Sequence, residues 1–287
     1  MEPSEEPAAW NIRPFERISE YHECEAMQRR VWNFAGDLDI IPRTQLVAAT
    51  KVGGIVLGAF AEDGTMLGFC YGFLGRRASG ELLHHSHMLA VDDEFRAAGL
   101  GAALKWAQRD AVRAQGIELM AWTYDPLESL NGYFNFSKLG VVARNYWEDL
   151  YGETSSGLHR GTPTDRLLAE WSLDAARVER RAGGARVSLD RTSLPGLPAL
   201  LSAVLDRAGL SAPGPTAEGG AAPEVTIEIP SHIQEIKAAD PGLARTWRMA
   251  TRAAFTQAFA EGYHVAECLR HDGRTYYLLR NGEPRLA

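Results

Sequence analysis

Three histidines lie close together in one apolar segment, at positions 84, 85 and 87. The segment predicts a strand from Leu82 to Val91. Side chains two residues apart on a strand point to the same face, so His85 and His87 are expected to face one way and Ser86 the other. An imidazole with a pKa of about 6.5 can accept a proton at neutral pH, which suits general-base chemistry. The pattern predicts His85 or His87 as a general base and does not rank them.

Two other roles stay open for these histidines. Either imidazole can serve as a hydrogen-bonded structural residue of the strand. The three histidines could also bind zinc, but no cysteine or carboxylate stands at ligand spacing nearby, so no metal is expected.

A glycine-containing turn follows this strand and opens a helix. Its pattern is R-x-x-G-x-G, formed by Arg96, Gly99 and Gly101. The helix is indicated by an apolar stripe at Leu100, Ala103, Leu104, Ala107, Ala111 and Val112. Glycines let backbone N–H groups approach an anion closely, and the helix start adds the positive end of its dipole. The turn therefore predicts a phosphate site.

The common nucleotide motifs do not explain this turn. A dinucleotide fingerprint would need a third glycine where the chain has Leu104, and a P-loop would need a Gly-Lys-Ser/Thr sequence that is absent here. The turn instead resembles the R-x-x-G-x-G/A signature of the GNAT acyltransferase superfamily, whose loop holds the pyrophosphate of coenzyme A. Farther along, Asn131 and the run Phe-Ser-Lys-Leu-Gly at 136–140 resemble that superfamily's Asn and aromatic-x-Lys-x-Gly pattern.

This resemblance covers residues 10–173, where a strand, a helix and a hairpin precede the turn in the order that the GNAT fold requires. Residues 122–131, 160–171 and 244–263 further resemble one bacterial GNAT family with a long C-terminal extension. The resemblance implies acetyl-CoA or another acyl-CoA as co-substrate. The implied cofactor-binding residues are Leu89, Ala90, Val91, Arg96, Ala97, Ala98, Gly99, Leu100, Gly101, Ala102 and Asn131.

The resemblance also bears on the proton path. Serotonin-type arylalkylamine N-acetyltransferases have a similar H-x-H-x-L-A-V run, whose histidines serve that path. GNAT enzymes often place a tyrosine two residues before the lysine of the aromatic-x-Lys-x-Gly pattern, as the acid that protonates the thiolate. Phe136 stands there in this chain, and Tyr133, about one helical turn earlier, is the remaining candidate acid, with packing on the sheet as its alternative role.

Acceptor-binding residues carry weaker signals. Trp32 follows the first predicted helix and could line an apolar slot, and Asp37 could attract an ammonium group. Arg76, Arg160 and Arg166 are candidates for binding a carboxylate, because guanidinium binds carboxylate through two hydrogen bonds. Each of these residues can equally belong to a loop or a solvated surface.

The elements that must position these residues predict an α/β (α+β) chain with the GNAT fold. We expect a mixed, mostly antiparallel sheet with helices on both faces, followed by a C-terminal strand-helix-hairpin extension. The predicted domains are residues 1–173 for CoA binding, an Ala/Gly/Pro-rich connector at 174–224 and the extension at 225–287. A helix is predicted at 125–140 and another at 197–208. The extension echoes the order of the first elements, which suggests a degenerate half-repeat.

Composition excludes several classes of protein. The 287 residues are 45% hydrophobic and 23% charged, which is typical of a globular protein, and the net charge of −7 disfavours nucleic-acid binding. The acidic, proline-containing start does not resemble a signal peptide, and no apolar run is long enough for a membrane span. We therefore expect a cytoplasmic protein that has neither nucleic-acid nor membrane partners and could form a homodimer through its extension.

Together these features predict an N-acyltransferase that moves an acetyl or succinyl group from acyl-CoA to the amine of a small molecule, with an amino acid among the candidate acceptors. Transfer would be direct, within a ternary complex. The alternative is a GNAT-like protein that binds acyl-CoA without catalysis, since Phe136 replaces the usual tyrosine.

Overall fold

The computed structural model describes residues 10–34, 36–96, 98–152, 161–185, 191–217 and 222–284. The described residues pack as two compact units, the first ending at Trp122 and the second beginning at Thr123. This division does not test the predicted domain boundaries, which stay predictions.

The described residues of the first unit form five strands and three α-helices. The strands are β1 (Asn11–Pro14), β2 (Ile55–Phe60), β3 (Met66–Arg76), β4 (Leu82–Val91) and β5 (Leu119–Tyr124), the last of which continues past the boundary. The helices are α1 (Ile18–Trp32), α2 (Arg43–Lys51) and α3 (Leu100–Ala114), with a short 3-10 helix at Asp93–Phe95. Strands β1 to β4 pair in antiparallel fashion, whereas β5 lies parallel to β4.

Helices cover both faces of this sheet. Phe69 and Tyr71 of β3 belong to a buried cluster with side chains of α1 and α2. Cys70, between them, points to the opposite face, where its thiol contacts the carbonyl oxygen of Leu104 in α3. The predicted mixed, mostly antiparallel sheet with helices on both faces is confirmed.

The second unit is built around a four-stranded sheet. Its helices are α4 (Ser129–Tyr133), α5 (Ala176–Ala182), α6 (Ile233–Ala239) and α7 (Pro241–Ala260), with a π-helix at Phe134–Leu139. Its strands are β6 (Tyr146–Trp147), β7 (Arg166–Ser172), β8 (Ala199–Leu201), β9 (Ala203–Leu205), β10 (Ser211–Pro213), β11 (Glu224–Ile229), β12 (Tyr263–His271) and β13 (Arg274–Asn281). The sheet order is β12-β13-β11-β8.

The predicted strand-helix-hairpin extension is present as β11, α6, α7 and the hairpin β12–β13. Asp240 caps α7 by accepting from the Leu243 amide at 2.9 Å, and Asp272 and Gly273 form the hairpin turn with positive φ angles of 47° and 72°. The pairing differs from the first unit, because β11 lies beside β13, whereas β1 lies beside β2. The half-repeat is therefore one of element order and not of strand pairing.

Two predicted helices need correction. The segment 197–208 forms strands β8 and β9, because β8 pairs with β11 and β9 pairs with β10. The helix expected from residue 125 begins only at Ser129, since the Asp125 carboxylate accepts from the Leu127 amide and forms a turn there. Its predicted end at Gly140 is confirmed by a left-handed residue with φ 82°.

Candidate functional site

The histidine pair lies at an irregularity in β4. Tyr71 of β3 pairs with Met88, but the next residue, Gly72, pairs with Ser86, so His87 is the extra residue of a β-bulge. The rings of His85 and His87 lie 5.7 Å apart on the same face. As predicted, Ser86 points the other way, where it is buried beneath α3.

Two aromatic side chains of β3 lie beside the two imidazoles. Phe73 lies 5.2 Å from His85 and 5.8 Å from His87, measured between ring centres, and Tyr71 lies 5.9 Å from His87. Burial lowers the pKa of His85 to about 4, with help from the neighbouring His87. The surrounding protein also lowers the pKa of His87, although this residue is exposed to solvent. Both rings are therefore neutral at pH 7 and able to accept a proton.

Strands β4 and β5 are paired over only a short distance. Their ladder consists of His84 with Met120 and His85 with Ala121, whereas β4 continues to Val91. In the part of the chain that the structure describes, the backbone of β4 beyond His85 has no strand partner on the β5 side. The predicted cofactor residues Leu89, Ala90 and Val91 all lie on this open edge.

The start of α3 lies directly after this edge. Gly99 is the N-cap and has a φ of 87°, a left-handed conformation that glycine adopts without strain. The first amides of the helix with an acceptor among the described residues are those of Ala102 and Ala103, which both donate to the Gly99 carbonyl. A Cβ atom on Gly101 would lie 3.7 Å from Val91 and 4.0 Å from Leu89, so the start of α3 packs beside the open edge of β4.

The other predicted cofactor residues of the turn are Arg96, Ala97 and Ala98. The Arg96 guanidinium contacts the Asp93 carboxylate at 2.7 Å and the Val91 carbonyl oxygen at 3.4 Å, and the side chain is about half exposed. Ala98 donates its amide to the Phe95 carbonyl at 3.2 Å. Ala97 lies outside the described residues.

A buried polar chain behind β4 was not predicted. Lys105 Nζ donates to Ser86 Oγ at 2.7 Å, and Ser86 Oγ donates to Gln108 Oε1 at 2.8 Å. Gln108 Nε2 lies 3.3 Å from His84 Nε2. Lys105 is 2% exposed, and its Nζ also lies 3.5 Å from the centre of the Trp122 ring. A lysine thus reaches the back of the strand that carries the histidine pair.

The amino-acid sequence contains a signal for this buried hydrogen-bond network. The buried face of α3 consists of Leu100, Leu104, Lys105, Gln108, Arg109 and Val112, whereas the alanines of the predicted stripe are only partly buried. Lys105 and Gln108 lie three residues apart and share one side of the helix with Leu104. Polar residues at core spacing predict a buried network when they are read together with the apolar ones.

His84 does not join the other two histidines. It is fully buried on the α3 side of β4, opposite His85 and His87, and burial lowers its pKa to about 3. The three rings therefore cannot ligate one metal ion in this arrangement. Among the described residues, no group of three His, Cys, Asp or Glu side chains is placed to hold a metal.

The acceptor candidates of the first unit each have contacts of their own. Trp32 stacks on Phe34 at 6.0 Å and packs against the cluster beneath α1. Asp37 is paired with Arg29, which lowers its carboxyl pKa. Arg76 is exposed and donates to the Gly80 carbonyl at 3.3 Å in the β3–β4 turn.

The other candidates belong to the second unit. Asn131 is exposed on α4, and Tyr133 is partly buried beside the β12–β13 turn, where Arg270 and His271 line the same surface depression. Phe136 is completely buried between Tyr124 and Tyr277. Arg166 is buried, 3.9 Å from the Asp125 carboxylate. Arg160 lies outside the described residues.

No known family model matches this chain, and a search of curated proteins found no match. Solved structures do match. An acetyltransferase of the GNAT family from Streptococcus pneumoniae is 18% identical, with a TM-score of 0.46 over 56% of this chain and 98% of that one. The Escherichia coli ribosomal-protein-S18-alanine N-acetyltransferase is 13% identical, with a TM-score of 0.45 over 58% of this chain and 96% of that one.

A third match is Arabidopsis thaliana Naa50 in complex with the bisubstrate analogue CoA-Ac-MVNAL. It is 15% identical, with a TM-score of 0.44 over 57% of this chain and 98% of that one. These solved structures are similar to just over half of the chain. At such identities and scores they do not assign an activity, and the chemistry of this protein is inferred from its own residues.

None of the described helices combines the length and the apolar character that crossing a membrane requires.

Proposed function

We propose that this protein is a CoA-dependent N-acyltransferase that transfers an acyl group from acyl-CoA to the amine of a small molecule. The observation that carries the proposal is the open edge of β4 beyond His85, which continues directly into the glycine-containing start of α3. An extended arm with a pyrophosphate at one end needs both features. The edge offers unpaired backbone groups to the arm, and the helix start offers amides to the phosphate.

The charge of the protein makes the helix start more important. A chain with a net charge of −7 gives a polyanionic cofactor no general attraction. Binding therefore depends on the backbone N–H groups from Ala98 to Ala102, of which those of Ala98 and Ala102 also donate to carbonyl groups of the turn. It depends as well on Arg96, whose guanidinium stays partly solvent-exposed. The same dependence is proposed for Ala97.

The reaction requires a base near the reacting amine. The neutral amine nitrogen attacks the thioester carbonyl carbon, a C–N bond forms, and the C–S bond breaks as the tetrahedral intermediate collapses. An amine that arrives as an ammonium ion loses one proton before attack and a second on collapse. The base takes the first proton, the second is released to water, and the thiolate of the leaving CoA is protonated by an acid or by water.

His87 is the better base of the two histidines. It is exposed at the bulge, whereas His85 is half-buried and its pKa is lowered to about 4. A base whose pKa lies far below the working pH accepts a proton less readily, so the less perturbed, accessible ring is favoured. The rings of His85 and Phe73 then pack against the ring of His87.

Several roles remain predictions within this proposal. Asn131 is proposed to contact the CoA arm, and Tyr133 is proposed as the acid, with water as the alternative proton source. Trp32, Asp37 and Arg76 are proposed to contact the acceptor, although the Arg29 pair already engages Asp37. The acyl group is proposed to be acetyl or succinyl, and we also propose a cytoplasmic protein without nucleic-acid partners.

Calorimetry with CoA and acetyl-CoA tests the binding site. We expect saturable binding by the wild type and weaker binding by Gly101→Val, whose larger side chain would occupy the space beside Leu89 and Val91. Gly196→Val is the matched control, since Gly196 lies in the second unit with open space around its Cα. Absence of CoA binding by the wild type would reject the proposal.

Thiol release from acetyl-CoA and succinyl-CoA, measured with a panel of amines and amino acids, tests catalysis. Release that depends on the acceptor and is lost in His87→Gln supports the transferase. CoA binding without thiol release for any acceptor would instead support a protein that binds acyl-CoA without catalysis. The buried Phe136, which stands in place of the usual tyrosine, is the feature that favours this alternative.

A further inference from the structure

The fork between β4 and β5 begins at a defined point. The last paired residues are His85 and Ala121, so Ser86 and Trp122 are the first residues of the two strands beyond the ladder. Lys105 of α3 contacts both: its Nζ lies 2.7 Å from Ser86 Oγ and 3.5 Å from the centre of the Trp122 ring. One ammonium group therefore touches both strands where they separate.

Among the described residues, this buried ammonium has no carboxylate partner. Lys105 is 2% exposed, and the described partners of its Nζ are a hydroxyl group and an aromatic ring rather than a carboxylate. A buried charge without a counter-ion is costly, and a structural role alone could be filled by an apolar side chain of similar length. A lysine at position 105 is therefore best explained by a role that requires its charge.

The groups around Lys105 do not compensate its charge. Burial raises the pKa of the Cys70 thiol of β3 to about 12 and lowers the pKa of His84 of β4 to about 3, so both are neutral near pH 7. His85 is neutral as well, and Arg109 follows on the next turn of α3 with a positive charge. Burial lowers the pKa of Lys105 to about 7, so this group changes charge near neutral pH.

We propose that Lys105 is a positioning residue for the acyl-CoA site, whose ammonium holds the fork between β4 and β5 open, so that the affinity for CoA follows its charge. This inference rests on the proposed function, because the open edge of β4 is the site assigned to the CoA arm. When charged, Lys105 attracts the face of the Trp122 ring and donates to Ser86 at the same time. When neutral, it keeps the hydrogen bond and loses the cation–π attraction, so β5 is held less firmly.

The charge also acts on the cofactor directly. Lys105 follows Gly101 by four residues, so the two lie on the same side of α3, one turn apart. A positive charge in the apolar interior adds to the positive end of the helix dipole, which faces the proposed phosphate position. Loss of the proton from Lys105 therefore loosens the hold on β5 and removes a positive charge that would attract the phosphate.

The test is the dissociation constant of CoA between pH 5.5 and 9 for the wild type, Lys105→Met and Lys105→Arg, with Lys51→Met as control, since Lys51 is exposed on α2. We expect Lys105→Met to bind about tenfold more weakly than the wild type at pH 6, and this ratio to shrink toward one as the pH rises through 7. The ratio cancels the ionisation of the CoA phosphates, because both proteins bind the same ligand. Lys105→Arg should keep its affinity above pH 7, since guanidinium stays charged.

An equal affinity of Lys105→Met and the wild type across this range would overturn the proposal. A second measurement is independent of CoA: the NMR signal of the Trp122 indole, assigned through Trp122→Phe, should titrate near pH 7 in the wild type and lose this titration in Lys105→Met. An indole signal that does not change between pH 6 and 8 would also overturn it. Failure of the wild type to bind CoA would reject the proposed function, while the indole titration would still decide whether Lys105 holds the fork.

Discussion

The Nζ atom of Lys105 lies over the ring of Trp122, 3.5 Å from its centre, in a part of the first unit that is almost fully buried. The contact joins α3 to β5 through a charge, in a buried environment that apolar side chains usually occupy. Its effect on stability and its effect on the proposed cofactor site are expected to have opposite signs.

Replacing Lys105 by methionine should stabilise the protein at neutral pH. The folded-state pKa is about 7, below the ordinary value of 10.5, so the unfolded chain binds an extra proton between these two values. Stability of the wild type therefore rises with pH across this range, and the cost of burying the charge is fully present below pH 7. Urea unfolding at pH 6 and pH 9.5 should show a gain for Lys105→Met that is larger at pH 6. A loss of stability at both pH values would contradict this.

Gly101→Ala should separate folding from cofactor binding. Alanine is a better helix former than glycine, and the new methyl group would make ordinary contacts with Val91 and Leu89 at 3.7 and 4.0 Å. We expect the free energy of unfolding to rise by up to about 1 kcal/mol. CoA affinity should fall by about tenfold or more, because a side chain beside the backbone amides at the start of α3 would hinder the approach of a phosphate group. Gly99 is less suitable for this test, since its φ of 87° would strain any other residue. Unchanged CoA affinity in Gly101→Ala would contradict the assignment of the CoA phosphates to the start of α3.

The amino-acid sequence predicts this fold well where local signals are strong. The strand predicted at Leu82–Val91 is observed with those bounds, and the hairpin turn at Asp272 and Gly273 and the cap at Asp240 are also observed. In each case the signal lies within a few residues, as hydrophobic alternation, a turn dipeptide or a capping side chain.

Features that depend on a distant partner were not predicted. Residues 197–208 have a helix-like composition, but β8 is set by its pairing with β11, more than twenty residues away along the chain. The bulge at His87 depends on the register of β3 against β4, which periodicity does not report. The contact of Lys105 with Ser86 and Trp122 likewise joins three elements, so the histidine pair was predicted and the lysine behind it was missed.

His87→Gln should lower the turnover number of the proposed reaction by about a hundredfold or more, which is the usual contribution of a general base. Because burial lowers the pKa of His87, the ring stays neutral to a more acidic pH than an ordinary imidazole, and wild-type activity should fall only at acidic pH. The measurement is kcat/KM against pH for one acceptor amine. His22→Gln, on the exposed side of α1, serves as the control and should keep full activity. Full activity of His87→Gln would exclude this residue as the base.

The three cysteines should not react with a thiol reagent in the folded protein. Cys24, Cys70 and Cys268 are all buried, and burial raises the pKa of both Cys24 and Cys70 to about 12. Because the thiolate is the reactive form, Ellman's reagent should detect no thiol in buffer and all three in denaturant. Rapid reaction of one thiol in buffer would contradict the burial. The expected result also gives the assay of CoA release a low background.

Asp125→Asn should destabilise the second unit strongly. The Asp125 carboxylate accepts from Arg248, and both side chains are more than nine-tenths buried. Without the carboxylate, the guanidinium of Arg248 would remain buried with a positive charge and no acid at its Nη2 atom. Breaking one side of such a pair costs about 3 to 5 kcal/mol, which urea unfolding resolves clearly. The matched control is Asp37→Asn, because Asp37 pairs with Arg29 on the exposed surface, where ion pairs contribute little. Equal, small effects of the two substitutions would show that the buried pair does not hold the second unit together.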